Sequence, residues 1–113
     1  MMIALTNGTE INGAVIHNYF RTLVNLFFKI LPMRESGSAS LNTYMRSLQC
    51  ELCGCGDLIA AINNDPRYVS LISILEYLIQ HPDCDYHIAR REVFRAISIC
   101  NKLQAKYAAE VSA

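Results

Sequence analysis

The sequence predicts an all-α protein: four main helices in a compact, bundle-like domain, preceded by an N-terminal arm or miniature hairpin. Three observations carry this reading. Apolar residues recur at helical spacing through long stretches. Proline and glycine punctuate the chain at only a few positions, and no internal repeat is present. The 113 residues make one domain, large enough to bury a core without staples. Hydrophobic residues are 52% and charged residues 18% of the chain, a globular balance that argues against disorder.

Residues 1–13 form the arm or short hairpin. Asn7-Gly8, between Ile3-Ala4-Leu5-Thr6 and Thr9-Glu10-Ile11, suits a type I′ turn. An isolated two-stranded hairpin is marginal, so a flexible arm is the alternative. Residues 14–113 form the single helical domain. Its first helix covers about residues 15–31, started by Asn12 or Gly13 and ended by Pro32, because the residue before a proline is pushed out of the helical region. Asn18, Arg21, Thr22, Asn25 and Lys29 fall on one narrow stripe. The rest is an apolar arc so wide that it needs cover on two or three sides. The helix is therefore central to the bundle, meets another subunit, or does both.

Arg34-Glu35-Ser36-Gly37-Ser38 reads as a loop. Ser38 or Ser40 caps a second helix over about residues 41–53, where Leu41, Tyr44, Met45, Leu48 and Leu52 recur at helical spacing. Gly54 and Gly56 are expected to break or bend it, and residues 57–62 form a short helical turn after it. Asn63-Asn64-Asp65-Pro66 is a turn and cap, with Pro66 at the first helical position, where its missing N–H costs nothing. The third helix, residues 66–80, turns Tyr68, Leu71, Ile72, Leu75, Leu78 and Ile79 to the core, widened by Val69, Ile74 and Tyr77. The fourth, about residues 85–110, does so with Val93, Ala96, Ile97, Cys100, Leu103 and Tyr107, with Phe94 and Ile99 at the margins. The turn between them is short, so they should pack antiparallel.

Composition excludes several functions. The formal net charge is zero, which removes both the basic excess of a non-specific nucleic-acid binder and the acidity of a DNA mimic. It also leaves little long-range repulsion against self-association. The first residues carry no basic n-region of a signal peptide. His17, Arg21, Asn25 and Lys29 interrupt the apolar first helix, so no membrane span is expected. A cytoplasmic location is the resulting expectation. Five cysteines, an odd number without a spaced framework, are expected as reduced thiols.

Cys50-Glu51-Leu52-Cys53-Gly54 has the C-x-x-C-G form of a zinc knuckle, with Cys55 adjacent, and His81-Pro82-Asp83-Cys84 offers a second pair near His87. Cys50, Cys53, His81 and Cys84 are thus a candidate tetrahedral set. The preferred reading of the cysteines is plainer: small, partly buried residues on an amphipathic helix. No cofactor is expected. Catalytic signatures are missing: there is no G-x-S-x-G elbow, and Gly54-Cys55-Gly56 lacks the third glycine and preceding strand of a phosphate loop. Glu76, Asp83, Asp85 and Glu92 are scattered rather than paired. On the fourth helix Arg91, Arg95, Lys102 and Lys106 share a face that would suit nucleic acid, although a solvated basic face is the usual meaning of such a stripe. Tyr19, Phe20, Phe27 and Phe28 are candidate anchors for a protein partner, against the alternative of ordinary core.

Residues 73–82, Ser-Ile-Leu-Glu-Tyr-Leu-Ile-Gln-His-Pro, together with Tyr86-His87-Ile88-Ala89, resemble the opening of a winged-helix DNA-binding domain. The chain departs from that pattern afterwards: residues 90–106 read as one continuous helix, with no wing after it. A second resemblance rests on residues 17–32 (His17-Asn18-Tyr19-Phe20 through Phe27-Phe28-Lys29-Ile30-Leu31-Pro32) and on residues 91–103, which look like small uncharacterised proteins of gut Firmicutes and their mobile elements. It implies a bacterial or phage setting and no activity. The functional expectation is a non-enzymatic protein-interaction module, dimeric, with an inhibitor of a bacterial defence complex as one instance. The alternatives are a DNA-binding helical regulator and a small zinc-stabilised domain.

Overall fold

A computed structural model describes residues 2–111; Met1, assigned above to the arm, and Ser112 and Ala113, assigned to the helical domain, lie outside the described residues. The elements are β1 Met2–Ala4, β2 Glu10–Asn12, α1 Gly13–Phe28, α2 Ile30–Glu35, α3 Leu41–Leu58, α4 Ala60–Asn63, α5 Pro66–Gln80 and α6 Tyr86–Val111. The expected all-α bundle with a miniature hairpin is what forms, its long members being α1, α3, α5 and α6.

Each long helix runs antiparallel to the next, and α6 returns to α1. The Tyr44 hydroxyl of α3 donates to the Leu26 carbonyl of α1 at 2.7 Å, while Cys55 lies beside Tyr19. Between α3 and α5, Gln49 donates to Glu76 at 2.7 Å and the buried Tyr68 hydroxyl donates to the Leu52 carbonyl at 2.6 Å. Lys106 of α6 reaches Asp65 at the start of α5. His17 Nδ1 donates to the Gln104 carbonyl at 3.0 Å, and Phe28 meets Phe94. In every pair the numbering rises on one helix as it falls on the other. Short connections favour this arrangement, as the short turn between α5 and α6 led us to expect. The α1–α6 contact is nevertheless the most extensive, so α6 packs chiefly on α1 rather than on its sequence neighbour.

The core is one cluster in which Phe20, Tyr68 and Tyr107 are the aromatic centre. Phe20 stacks on Tyr107 and meets Tyr68 edge to face, each at 6.1 Å between ring centroids. Burying a ring of this size contributes about 2–3 kcal/mol relative to leaving it in water. All six core positions expected on α6 are buried, and Ala89 joins them. On α5, Ile74 is buried and Val69 faces solvent.

Four local expectations are corrected. Pro32 does not end a helix at Leu31. It occupies the first turn of α2, and the break falls at Lys29. The ring of a helical proline clashes with the carbonyl four residues back, here that of Phe28, so the interruption appears there. Arg34 and Glu35, expected in a loop, complete α2. The helix ends where Gly37 adopts φ +67° and the Ser38 and Gly37 N–H groups donate to the Met33 and Arg34 carbonyls, a Schellman closure. Arg34 then crosses to the α5–α6 turn, donating to the carbonyls of Pro82 and Cys84.

Gly54 and Gly56 do not break α3, which continues to Leu58. Gly56 is buried where α3 approaches Asn63 of α4 and Tyr68 of α5. A Cβ there would lie 2.7 Å from Asn63 Oδ1 and 3.3 Å from the Tyr68 ring. The hairpin, finally, is not closed by a type I′ turn. Gly8 takes φ +88°, whereas Asn7 keeps a negative φ. A type I′ turn needs both positive. Gly8 N–H donates to the Leu5 carbonyl and Leu5 N–H to the Thr9 carbonyl, a three-residue loop. Nor is the hairpin a loose arm. Ile3, opposite Ile11, is buried. Thr6 N–H and hydroxyl donate to the carbonyls of Leu58 at 2.8 Å and Asp57 at 3.0 Å. These carbonyls end α3 and have no helical donor of their own.

Candidate docking surface

The α1–α6 seam carries the feature that the core does not explain. Phe28, the last residue of α1, is 49% exposed, and Phe94 of α6 is 39% exposed. Phe94 comes directly after the buried Val93, so it stands about 100° round the helix from the core direction. The two rings meet edge to face at 5.7 Å, the arrangement that sets the positive edge of one ring on the negative face of the other. One turn before Phe94, the Arg90 guanidinium lies 5.1 Å from the Phe94 ring centroid. Arg90 is held by a cation–π contact and makes no ion pair among the described residues, so its N–H fork stays available to a carboxylate. Lys29, beside Phe28, is also exposed.

The other partner candidates lie elsewhere. Phe20 and Phe27 are 0% exposed and belong to the core. Tyr19 is half-buried. The wide apolar arc of α1 is largely consumed by α6, the hairpin, α2 and the Tyr19–Cys55 contact with α3; Phe28 at its end and Val15 in its first turn reach the surface. Phe94, placed by periodicity at the core margin, is the residue that completes the site. Periodicity located its face, and only the position of α1 showed that a second exposed ring meets it.

The basic face is present but largely engaged. Arg91 and Arg95 both lie 3.5 Å from Glu92, a carboxylate nearly buried at the edge of the core. Lys106 lies 3.6 Å from Asp65. Of the four candidates only Lys102 makes no ion pair among the described residues. Residues 90–106 are continuous within α6, without the break that a winged-helix reading requires.

The candidate metal ligands do not converge. Cys50 and Cys53 are exposed on the middle turns of α3. His81 and Cys84 lie at the other end of α5 from Tyr68, beside the start of α3, where Pro82 and Met45 line one depression. From Met45 to Cys50 alone the helix advances about 7–8 Å. His81 Nδ1 donates to the Tyr77 carbonyl, and its ring stacks on Tyr77 at 4.4 Å. No group of three or more His, Cys, Asp or Glu positioned to hold a metal occurs among the described residues.

The perturbed titrations stem from packing. Burial pushes the Tyr19, Tyr68 and Cys55 groups up, and drives Cys100 to about 12. A nucleophilic thiol needs the opposite shift. Asp65 is lowered to about 2, first by its hydrogen bonds from Arg67. It caps α5, accepting from the Arg67 N–H, which makes its role structural.

No family model matches the chain, and no curated protein or solved structure matches it. Among the described residues no helix is long and apolar enough to cross a membrane.

Proposed function

We propose that the protein is a non-enzymatic interaction module that docks an acidic segment of another protein on the α1–α6 seam. The exposed Phe28–Phe94 pair beneath Arg90 is the observation that supports this. Aromatic rings bring contact area at small conformational cost, and arginine brings directional recognition of carboxylates, which is why both are enriched among the residues that dominate interfaces. The cations favour a different chain over a second copy. An isologous dimer sets each patch against itself, so Lys29 and Arg90 would be gathered against the same two cations of the second copy. Nucleic acid is favoured less, because the chain has no net charge and three of its four stripe cations already pair with carboxylates. A mobile-element protein that occupies a bacterial defence complex is the instance to test first.

Affinity capture from the native host tests the reading, comparing the wild type with the Phe28→Ala/Phe94→Ala double variant and with Val69→Ala, an exposed apolar residue on α5. The expected result is an acidic protein retained by the wild type and by Val69→Ala and lost by the double variant. Equal capture by all three would remove the seam from the function.

A further inference from the structure

The other end of α1 holds a second feature. A cavity of about 260 Å³ lies where the hairpin, α1 and the end of α3 meet, lined by Leu5, Ile11, Val15, Ile16, Tyr19, Cys55, Leu58 and Ile59. We infer that this cavity is a binding site for a small, uncharged, largely apolar molecule, of the size of indole or naphthalene.

Three properties of the cavity lead there. First, its lining is apolar throughout: aliphatic side chains, the Tyr19 ring and a thiol that burial holds protonated. Water inside such a cavity has few hydrogen-bond partners, so an apolar guest displaces it favourably. Second, no charged side chain contributes to the wall. A carboxylate or ammonium bound there would lose hydration with no counter-charge, which selects against ions. Third, the scale suits a small molecule. The volume is well above the ~150 Å³ apolar cavity that accepts benzene, which leaves room for a bicyclic ring. A stable protein interface, by contrast, buries about 800 Å² on each partner, far more than this cavity and its rim present. The rim is where the fold leaves apolar side chains in water without an internal reason: Val15 is 55% and Leu58 40% exposed. A guest covers both. The site is distinct from the α1–α6 seam and does not depend on it.

The cysteines supply an internal reporter. Cys55 lies in the wall, whereas Cys50 and Cys53 stand exposed on the same helix outside it. Indole at millimolar concentration should slow alkylation of Cys55 by iodoacetamide at least fivefold and leave Cys50 and Cys53 unchanged, read by mass spectrometry of the peptide that contains all three. Indole-3-carboxylate, with the same ring and a charge, should give no protection. Val15→Arg, a substitution at an exposed position, should raise the indole concentration that gives this protection at least tenfold with an unchanged melting temperature. If the variant melts lower, Leu58→Arg at the opposite rim serves the same purpose. The proposal is overturned by an absence of Cys55 protection, by equal protection of Cys50 and Cys53, or by equal protection from indole-3-carboxylate. Protection by an apolar peptide but not by indole would overturn it in favour of a protein side chain as the occupant.

Discussion

The rings of Phe28 and Phe94 meet edge to face at 5.7 Å on the outside of the molecule, joining the last residue of α1 to the third turn of α6. An exposed aromatic pair of this kind stabilises the fold by only about 0.5–1.5 kcal/mol. Phe28→Ala and Phe94→Ala should each lower the unfolding free energy by about 1–2 kcal/mol, the ring contact together with the part of each ring that is covered. Phe20→Ala or Phe27→Ala should cost about 3–5 kcal/mol, because each empties a fully buried site. Denaturant titration of the four variants distinguishes the two classes. A large loss at Phe28 would make it a core residue and weaken its assignment to a partner.

The two glycines of α3 should respond in opposite ways to alanine. Gly54 has open space at its Cβ position, so Gly54→Ala should stabilise by about 0.5–1 kcal/mol through helix propensity. At Gly56 the new methyl meets the Asn63 side chain, which can turn away, and the Tyr68 ring, which cannot. That ring is fully buried against Phe20 and its hydroxyl is bound to the Leu52 carbonyl. Gly56→Ala should destabilise by about 1–3 kcal/mol, as overpacking does. Thermal melts of the two variants check both signs.

Asp65 makes a pH-dependent contribution. Its carboxyl is lowered to about 2 in the folded protein, chiefly by Arg67 with Lys106 adding to the effect, against roughly 3.9 in an unfolded chain. A depressed carboxyl stabilises the fold fully above the unfolded value and loses that contribution as the pH falls through the folded one. The difference in stability between wild type and Asp65→Asn should hold steady at about 1–2 kcal/mol above pH ~4 and shrink between pH ~4 and ~2. High salt should narrow it. A difference that stays constant to pH 2 would show that Asp65 acts only as a neutral cap.

The thiols should react in an order set by burial. Cys50 and Cys53 are exposed, Cys55 and Cys84 are intermediate and Cys100 is buried, its thiol pushed up to about 12. A thiol-disulfide reagent at neutral pH should label Cys50 and Cys53 within the mixing phase and Cys100 only at the rate of global unfolding. Fast labelling of Cys100 in native buffer would contradict the packing of α6 on α1.

How far the sequence foretold this structure depends on where each signal resides. The bounds of α5 were legible because they are local: Asp65 caps, Pro66 fits the first turn, and His81-Pro82 stops the helix. The polar stripe Asn18, Arg21, Thr22, Asn25 and Lys29 is exposed throughout, and the core positions of α6 fall where periodicity put them. Gly56 misled because its reason is tertiary: it permits close approach to Asn63 and Tyr68, and no neighbour in sequence announces that. Pro32 misled because its steric effect acts one turn upstream. Phe20, Phe27 and Phe28 looked alike in sequence, and only the position of α6 separates core from surface among them. The apolar cavity draws its wall from the hairpin, α1 and the end of α3, so it has no linear signature at all.

The contact of Thr6 with the end of α3 ties the hairpin loop to a carbonyl 51 residues further along the chain. A segment close to the N-terminus thereby becomes part of the closure of a helix in the middle of the fold. Opening at either place exposes the other, so the Thr6 amide and the amides that finish α3 should exchange with solvent as one cooperative unit rather than as a fraying end and a stable helix. A tag or cargo fused ahead of β1 would then be felt at Leu58, on the rim of the apolar cavity, as a change in how tightly that rim is held.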